Sequence, residues 1–139
     1  MKTLTIPAAV DQLDTAQAFI DQMLDSTTCP LETRLLLQIS VEELFVNIAS
    51  YAYAPDKGRA TVRVEVSGDP VTVTITFIDH GIPYDPLSRQ DPDVTKPAED
   101  REIGGLGIFL TRKIMDDLSY EYADGKNILT LKKNLQESE

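Results

Sequence analysis

At 139 residues, 42% hydrophobic and 26% charged, the chain has the length and balance of one soluble globular domain, enough for one core and short of what two need. A net charge of −10 argues against nucleic acid, whose phosphates demand a basic surface, and is compatible with a basic protein partner. Cys29 stands alone, which excludes an intrachain disulfide and a cysteine metal cluster; no run reaches the apolar length of a signal peptide or a membrane span, so a reducing cytoplasm is the expected location.

Leu4 and Ile6 alternate with Thr3 and Thr5 up to Pro7, which predicts a short opening strand. Asp11 is positioned to cap a first amphipathic helix carrying Leu13, Ala16, Ile20 and Met23. Turn-forming residues from Ser26 to Pro30 precede a second helix, with Thr28 and Pro30 suited to its start, and that helix should stop before Pro55. Its apolar face is Leu37, Val41, Leu44, Ile48 and Ala52. Glu43 and Asn47, four residues apart at about 100° per residue, share a different stripe with Leu36 and Ser40, and aim a carboxylate and a carboxamide at one point. Glu42 lies off that stripe. A solvated polar face is the commoner meaning of such a pair on a helix, so its significance depends on the residues further along the chain.

Lys57 and Gly58 turn the chain into a strand with Val62, Val64 and Val66 on one face, and Ser67-Gly68-Asp69-Pro70 reads as a hairpin connection. The next strand alternates Val71, Val73, Ile75 and Phe77 with threonines. Continued by two residues, that alternation puts Asp79 on the apolar face, where a carboxylate is costly without a hydrogen-bond donor or a ligand. From Gly81 to Glu102 periodicity is lost and prolines intervene, the pattern of a functional lid or a disordered segment. Gly104-Gly105-Leu106-Gly107 opens a third helix in which Leu106, Leu110 and Ile114 recur at four. Tyr120 to Ala123 and Ile128 to Lys132 bracket Asp124-Gly125-Lys126-Asn127 as a closing hairpin, and the polar tail from Gln136 should fray. The expected fold class is α+β: a two-layer α/β sandwich, three helices on one face of a mostly antiparallel sheet, spanning residues 1–139 as a single domain.

Several features converge chemically. Glycines 104, 105 and 107 let backbone N–H groups approach a ligand, and the helix start adds partial positive charge, so the run suits phosphates, although such a glycine run more often serves a turn. Asn47 carries a neutral oxygen of the kind Mg²⁺ accepts. Asp79, ionised, accepts hydrogen bonds and so suits the exocyclic amine of adenine, with Gly81 leaving room for the base edge.

In order, Glu43-x-x-x-Asn47, Asp79-x-Gly81 and Gly105-x-Gly107 resemble the three nucleotide boxes of the Bergerat-fold (GHKL) ATPases, the superfamily of gyrase B and the histidine kinases. Glu43 to Tyr53, Gly104 to Leu110 and Met115-Asp116-Asp117 are most similar to the anti-sigma-factor serine/threonine kinases of bacterial partner-switching systems. The resemblance covers nearly the whole chain. It implies an ATP-binding regulatory kinase that phosphorylates an anti-anti-sigma-type protein and sequesters a sigma factor or another regulatory protein. In it Asp79 and Gly81 serve adenine, Asn47 holds Mg²⁺, Glu43 is the base toward the partner's serine, and Gly104, Gly105, Leu106 and Gly107 hold phosphates with Arg101 as the lid arginine. Homodimerisation through the sheet or first helix is an expectation from the family alone.

Tyr51 stands where relatives often carry histidine, and Ile103 lengthens the segment between Arg101 and the glycines, which leaves Lys96 as another cation the lid offers. His80, the only histidine, is held between Asp79 and Gly81 and does not suit a phosphoacceptor; Tyr84 and Phe77 read as core or rim. A regulator that holds a nucleotide and binds a partner without catalysis would carry the same pocket.

Overall fold

The computed structural model describes residues 1–53, 58–68, 71–88 and 106–135. The chain runs β1 (Lys2–Pro7), α1 (Leu13–Asp25), α2 (Leu31–Tyr51), β2 (Arg59–Ser67), β3 (Thr72–Asp79), α3 (Leu106–Ile114), β4 (Asp117–Ala123) and β5 (Lys126–Asn134). Five strands form one sheet in the order β1-β2-β3-β5-β4, and every pairing is antiparallel. β3 is therefore central, flanked by the strand before it and the last strand of the chain.

The alternation in β2, β3 and β5 sorts the two faces cleanly. Val62, Val64, Val73, Ile75, Phe77, Leu129 and Leu131 are buried and pack beneath the helices, while Thr61, Thr74, Thr76 and Thr130 occupy the opposite face. Register aligns the buried side chains in rows across the sheet, such as Leu4, Val62, Phe77, Leu129 and Tyr120. The row at the sheet's end breaks the apolar series: Ile6, Ala60, Asp79, Asn127 and Tyr122. The face assigned to α2 is buried throughout, Leu37, Val41, Leu44, Ile48 and Ala52, with Phe45 added. α1 buries Ala16, Ile20 and Leu24 against α2 and β2, and α3 packs on α2.

Two local expectations are corrected. Asp11 caps no helix: residues Val10–Gln12 form a 3-10 turn, and α1 starts at Leu13 with Gln12 at its cap position and no side-chain cap. Within α3, Ile108 and Thr111 are buried, Ile114 packs against the core and Leu110 is exposed, and Met115 just beyond the helix is buried. In the closing hairpin only Asp124 and Gly125 form the turn, with φ of 54° and 75°. Two successive positive φ values make the type I′ turn that matches strand twist. Lys126 and Asn127 consequently belong to β5.

The end of α2 is fastened to the chain that leaves β3. Ile82 donates its N–H to the carbonyl of Ala52 at 2.9 Å, satisfying one of the helix's last acceptors. The Tyr53 hydroxyl accepts from the His80 N–H at 2.7 Å and donates to the Arg59 carbonyl at 2.6 Å, and the rings of Tyr51 and Tyr84 stand 5.6 Å apart. Gly81 makes this approach possible, because a Cβ there would lie 2.5 Å from the carbonyl carbon of Ala52 and closer still to its oxygen. Since that obstacle is backbone, Gly81→Ala should destabilise the protein by about 1–3 kcal/mol, the usual cost of overpacking, read as a lowered urea midpoint; an unchanged midpoint would show that the two segments part freely.

Candidate functional site

Glu43 and Asn47 lie beside each other on α2, as their spacing requires. The Asn47 amide donates from Nδ2 to the Glu43 backbone carbonyl at 2.9 Å and to Glu43 Oε1 at 3.3 Å. Both bonds use the nitrogen, so the amide oxygen Oδ1 points its acceptor capacity elsewhere than along the helix. A carboxamide oxygen next to a carboxylate is the donor chemistry a hard divalent cation takes, supplemented by phosphate and water oxygens. Among the described residues no cluster of three or more His, Cys, Asp or Glu could hold a metal by itself, so a cation here would depend on a ligand that brings its own oxygens. Glu42, the neighbouring acid, is exposed and faces the groove between α1 and α2 with Leu13, Leu35 and Ile39, away from Asn47.

Asp79 ends β3 on the buried face and is only 3% exposed. Its cost of burial is offset by two donors on one oxygen: Oδ1 accepts from the Gly81 N–H at 2.9 Å and from Asn127 Nδ2 at 2.9 Å. Among the described residues no donor reaches Oδ2. Among the described residues the buried carboxylate therefore retains one acceptor, beside Ala60, whose small side chain fills little of the row.

Asn127 is the partner of Asp79 that the sequence pattern does not reveal. It is 5% exposed and lies directly opposite Asp79 in the β3–β5 register. Its Nδ2 also donates to the Ile82 carbonyl at 2.8 Å, and its Oδ1 accepts from the Tyr84 N–H at 3.1 Å and from the Tyr120 hydroxyl. The available signal was Asp124-Gly125 as a two-residue turn: it starts β5 at Lys126 and places Asn127 two residues before Leu129 and four before Leu131, on their buried face.

Gly81 and Asp79 are thus brought together with the end of α2, and Asn47 lies one helical turn before the tethered Tyr51. Tyr51 is half exposed and packs against Tyr84; His80 is exposed, and Phe77 is buried in the core. Leu106 and Gly107 are the first two residues of α3. Arg101, Gly104 and Gly105, with Lys96 and Ile103, lie outside the described residues.

A profile of the histidine kinase-like ATPase domain matches residues 6–133. The chain belongs to that family. Among curated relatives of this histidine kinase-like ATPase, it is 33% identical to the serine/threonine-protein kinase BtrW of Bordetella bronchiseptica over 98 residues, 70% of this chain and 68% of that one. It is 27% identical to the serine-protein kinase RsbW of Listeria monocytogenes over 135 residues, 94% of this chain and 85% of that one. Among solved structures, the histidine kinase domain of a blue-light activated kinase from Erythrobacter litoralis superposes with a TM-score of 0.52 at 17% identity. That match covers 94% of this chain and 62% of the other, and shows the fold, an α+β sandwich of three helices and a five-stranded antiparallel sheet. The resemblance to the Bergerat-fold ATPases read from the three boxes, and that to the anti-sigma-factor kinases read from Glu43 to Tyr53, Gly104 to Leu110 and Met115 to Asp117, are supported by the profile and the named relatives. No helix among the described residues is long and apolar enough to cross a membrane.

Burial holds the Tyr120 hydroxyl, bonded to Asn127, above its ordinary value of 10, and the nearby carboxylates of Asp85 and Asp79 push the same way against a hydrogen bond to the Tyr84 backbone. A raised folded value means that the unfolded chain ionises first: this contribution is intact below pH 10 and is lost as pH rises through and beyond it. Chemical denaturation from about pH 9 to about pH 11.5, a window that brackets the titration of a free tyrosine, should show a smaller alkaline loss for Tyr120→Phe than for the wild type. Equal losses would mean that Tyr120 is not buried against Asn127.

Proposed function

We propose that the chain is an ATP-dependent serine/threonine kinase of the partner-switching kind, acting on a regulatory protein in the cytoplasm, with residues 1–139 forming one functional unit. The observation that carries this reading is Asp79: a buried carboxylate with Oδ1 saturated by Gly81 and Asn127 and Oδ2 left as an acceptor, in a chain of an ATPase family. Such an acceptor suits the 6-amino group of adenine, and Gly81 keeps side-chain bulk away from the base edge.

Asn47 Oδ1 would be the protein's ligand to Mg²⁺, which when bound neutralises phosphate charge during transfer. Gly104, Gly105 and Gly107, with the backbone of Leu106, would offer N–H groups to the phosphates at the start of α3, and Arg101 would add positive charge from the lid. Glu43, held beside Asn47, would accept the proton of the attacking serine hydroxyl. The serine oxygen then forms its bond to the γ-phosphorus as the bond from that phosphorus to the β–γ bridging oxygen breaks; phosphoserine and ADP result, and the proton ends on Glu43. Positioning and charge neutralisation supply most of the acceleration in such a transfer.

The relatives named as serine or serine/threonine kinases support a protein acceptor. By analogy with the anti-sigma-factor kinases, the acceptor would be an anti-anti-sigma-type protein, and a sigma factor or similar regulator would be the partner sequestered when the acceptor is phosphorylated. The net charge of −10 suits basic surfaces on such partners.

The test is transfer of label from γ-labelled ATP to acceptor proteins in a cell extract, followed by the purified acceptor, with wild type and Glu43→Gln in parallel. Glu43→Gln should bind ATP as the wild type does and transfer roughly 10²–10⁴-fold more slowly, the usual worth of a general base. Undiminished transfer would remove Glu43 from the reaction. ATP binding with no transfer to any protein would identify a nucleotide-holding regulator without catalysis.

A further inference from the structure

We propose that Asn127 is a positioning residue for the nucleotide: its side-chain amide, locked in one orientation by two backbone groups, fixes Asp79 so that a single carboxylate oxygen is offered to the base, and thereby sets a preference for adenine over guanine nucleotides. The inference rests on the reading of Asp79 as the adenine contact.

The orientation of the amide follows from its partners. Asn127 Oδ1 faces the Tyr84 N–H at 3.1 Å, and Nδ2 faces the Ile82 carbonyl at 2.8 Å. A backbone N–H can only donate and a backbone carbonyl only accept, so turning the amide over would set donor against donor and acceptor against acceptor. The fourth partner, the Tyr120 hydroxyl, can rotate to suit either orientation and decides nothing by itself. With the amide fixed, its remaining N–H is committed to Asp79 Oδ1 at 2.9 Å, the oxygen that already takes the Gly81 N–H. Oδ2 is then the acceptor in reserve. Two of these four bonds bind the segment Ile82 to Tyr84 to β5 and the other two reach Asp79 in β3 and Tyr120 in β4, so one side chain ties together the parts of the chain around Asp79.

An acceptor held in one place discriminates by position as well as by sign. A base seated to donate the 6-amino group of adenine satisfies it, whereas guanine seated in the same way would set its 6-oxo group against it oxygen to oxygen and could reach it with N1–H or the 2-amino group only after shifting along its edge. Without the Asn127 amide, Asp79 would lose a donor and the carboxylate could rotate; the polarity presented to the base would no longer be fixed. Asn127 touches no ligand in this scheme. Its effect passes through Asp79, so it should alter the ratio of affinities and not merely their level.

The experiment measures dissociation constants for ATP and GTP by calorimetry on the full chain, for the wild type, Asn127→Ala and Tyr120→Phe, with thermal melts confirming folded protein. The wild type should prefer ATP. Asn127→Ala should weaken ATP binding about tenfold or more while GTP changes little, so that the ATP:GTP ratio falls by a similar factor. Tyr120→Phe leaves both backbone partners of the amide in place and should keep the ratio within about threefold of the wild type. If Asn127→Ala does not fold, Asn127→Ser is measured in its place against the same expectation, its hydroxyl being free to rotate where the amide is not. Equal weakening of both nucleotides, or an unchanged ratio, in a wild type that does prefer ATP would overturn the positioning role and leave the ATP-binding reading standing. A wild type that binds neither nucleotide would overturn both.

Discussion

A carboxylate buried among apolar side chains must find donors, and the way Asp79 finds them shapes the end of the sheet. One donor comes from its own strand's exit, the Gly81 N–H, and the other from the last strand of the chain, the Asn127 amide. Both bonds fall on the same oxygen. The local chain is bent into an Asx-type turn by the first, and β5 is held in register at its first residues by the second. The burial of one acid thus links the middle of the sequence to its end, and the satisfaction of that acid is incomplete by one acceptor. Replacing Asp79 and Asn127 together by apolar residues would leave the Gly81 and Tyr84 N–H groups and the Ile82 carbonyl without these partners, so the polar pair also holds the chain that leaves β3.

The second constraint is the fastening of α2 to the exit of β3. Helix ends carry carbonyls without partners, and here the Ile82 N–H serves one of them. Tyr53 joins the same end to both neighbouring strands, and Tyr51 leans on Tyr84. Because Asn127 holds Ile82 and Tyr84 as well as Asp79, the ties converge. A helix anchored at its C-terminal end carries its earlier turns in a fixed direction, and the Glu43–Asn47 pair inherits its place relative to Asp79 from that anchoring. The apolar face of α2 supplies adhesion to the sheet; the polar contacts at its end supply register.

The residues legible in the sequence were those whose role follows from period. The alternation of β3 carries Asp79 to the buried face, and four-residue spacing sets Glu43 beside Asn47; both arrangements are found. Asn127 was illegible for a reason of turn chemistry: Asp124-Gly125-Lys126-Asn127 reads as four polar turn residues, but two positive φ values close the turn in two, and the strand begins earlier than polarity suggests. A polar residue in a strand's buried row is invisible to a hydrophobic pattern unless the register is known. Asp11 failed as a cap because an intervening 3-10 turn delays the helix. The glycines at 104 and 105 and Arg101 lie outside the described residues, so the geometry describes the Asp79 end of the proposed site.

The central claim is that Asp79 is buried for the sake of a purine. Isothermal titration of Mg-ATP into the wild-type chain and into Asp79→Asn addresses it most directly. One nucleotide should bind per chain, and the substitution, which places a donor where an acceptor is needed, should weaken binding by about 1.4–3 kcal/mol, or roughly tenfold to 150-fold. Equal affinity in the two proteins, or no heat of binding in the wild type, would contradict it.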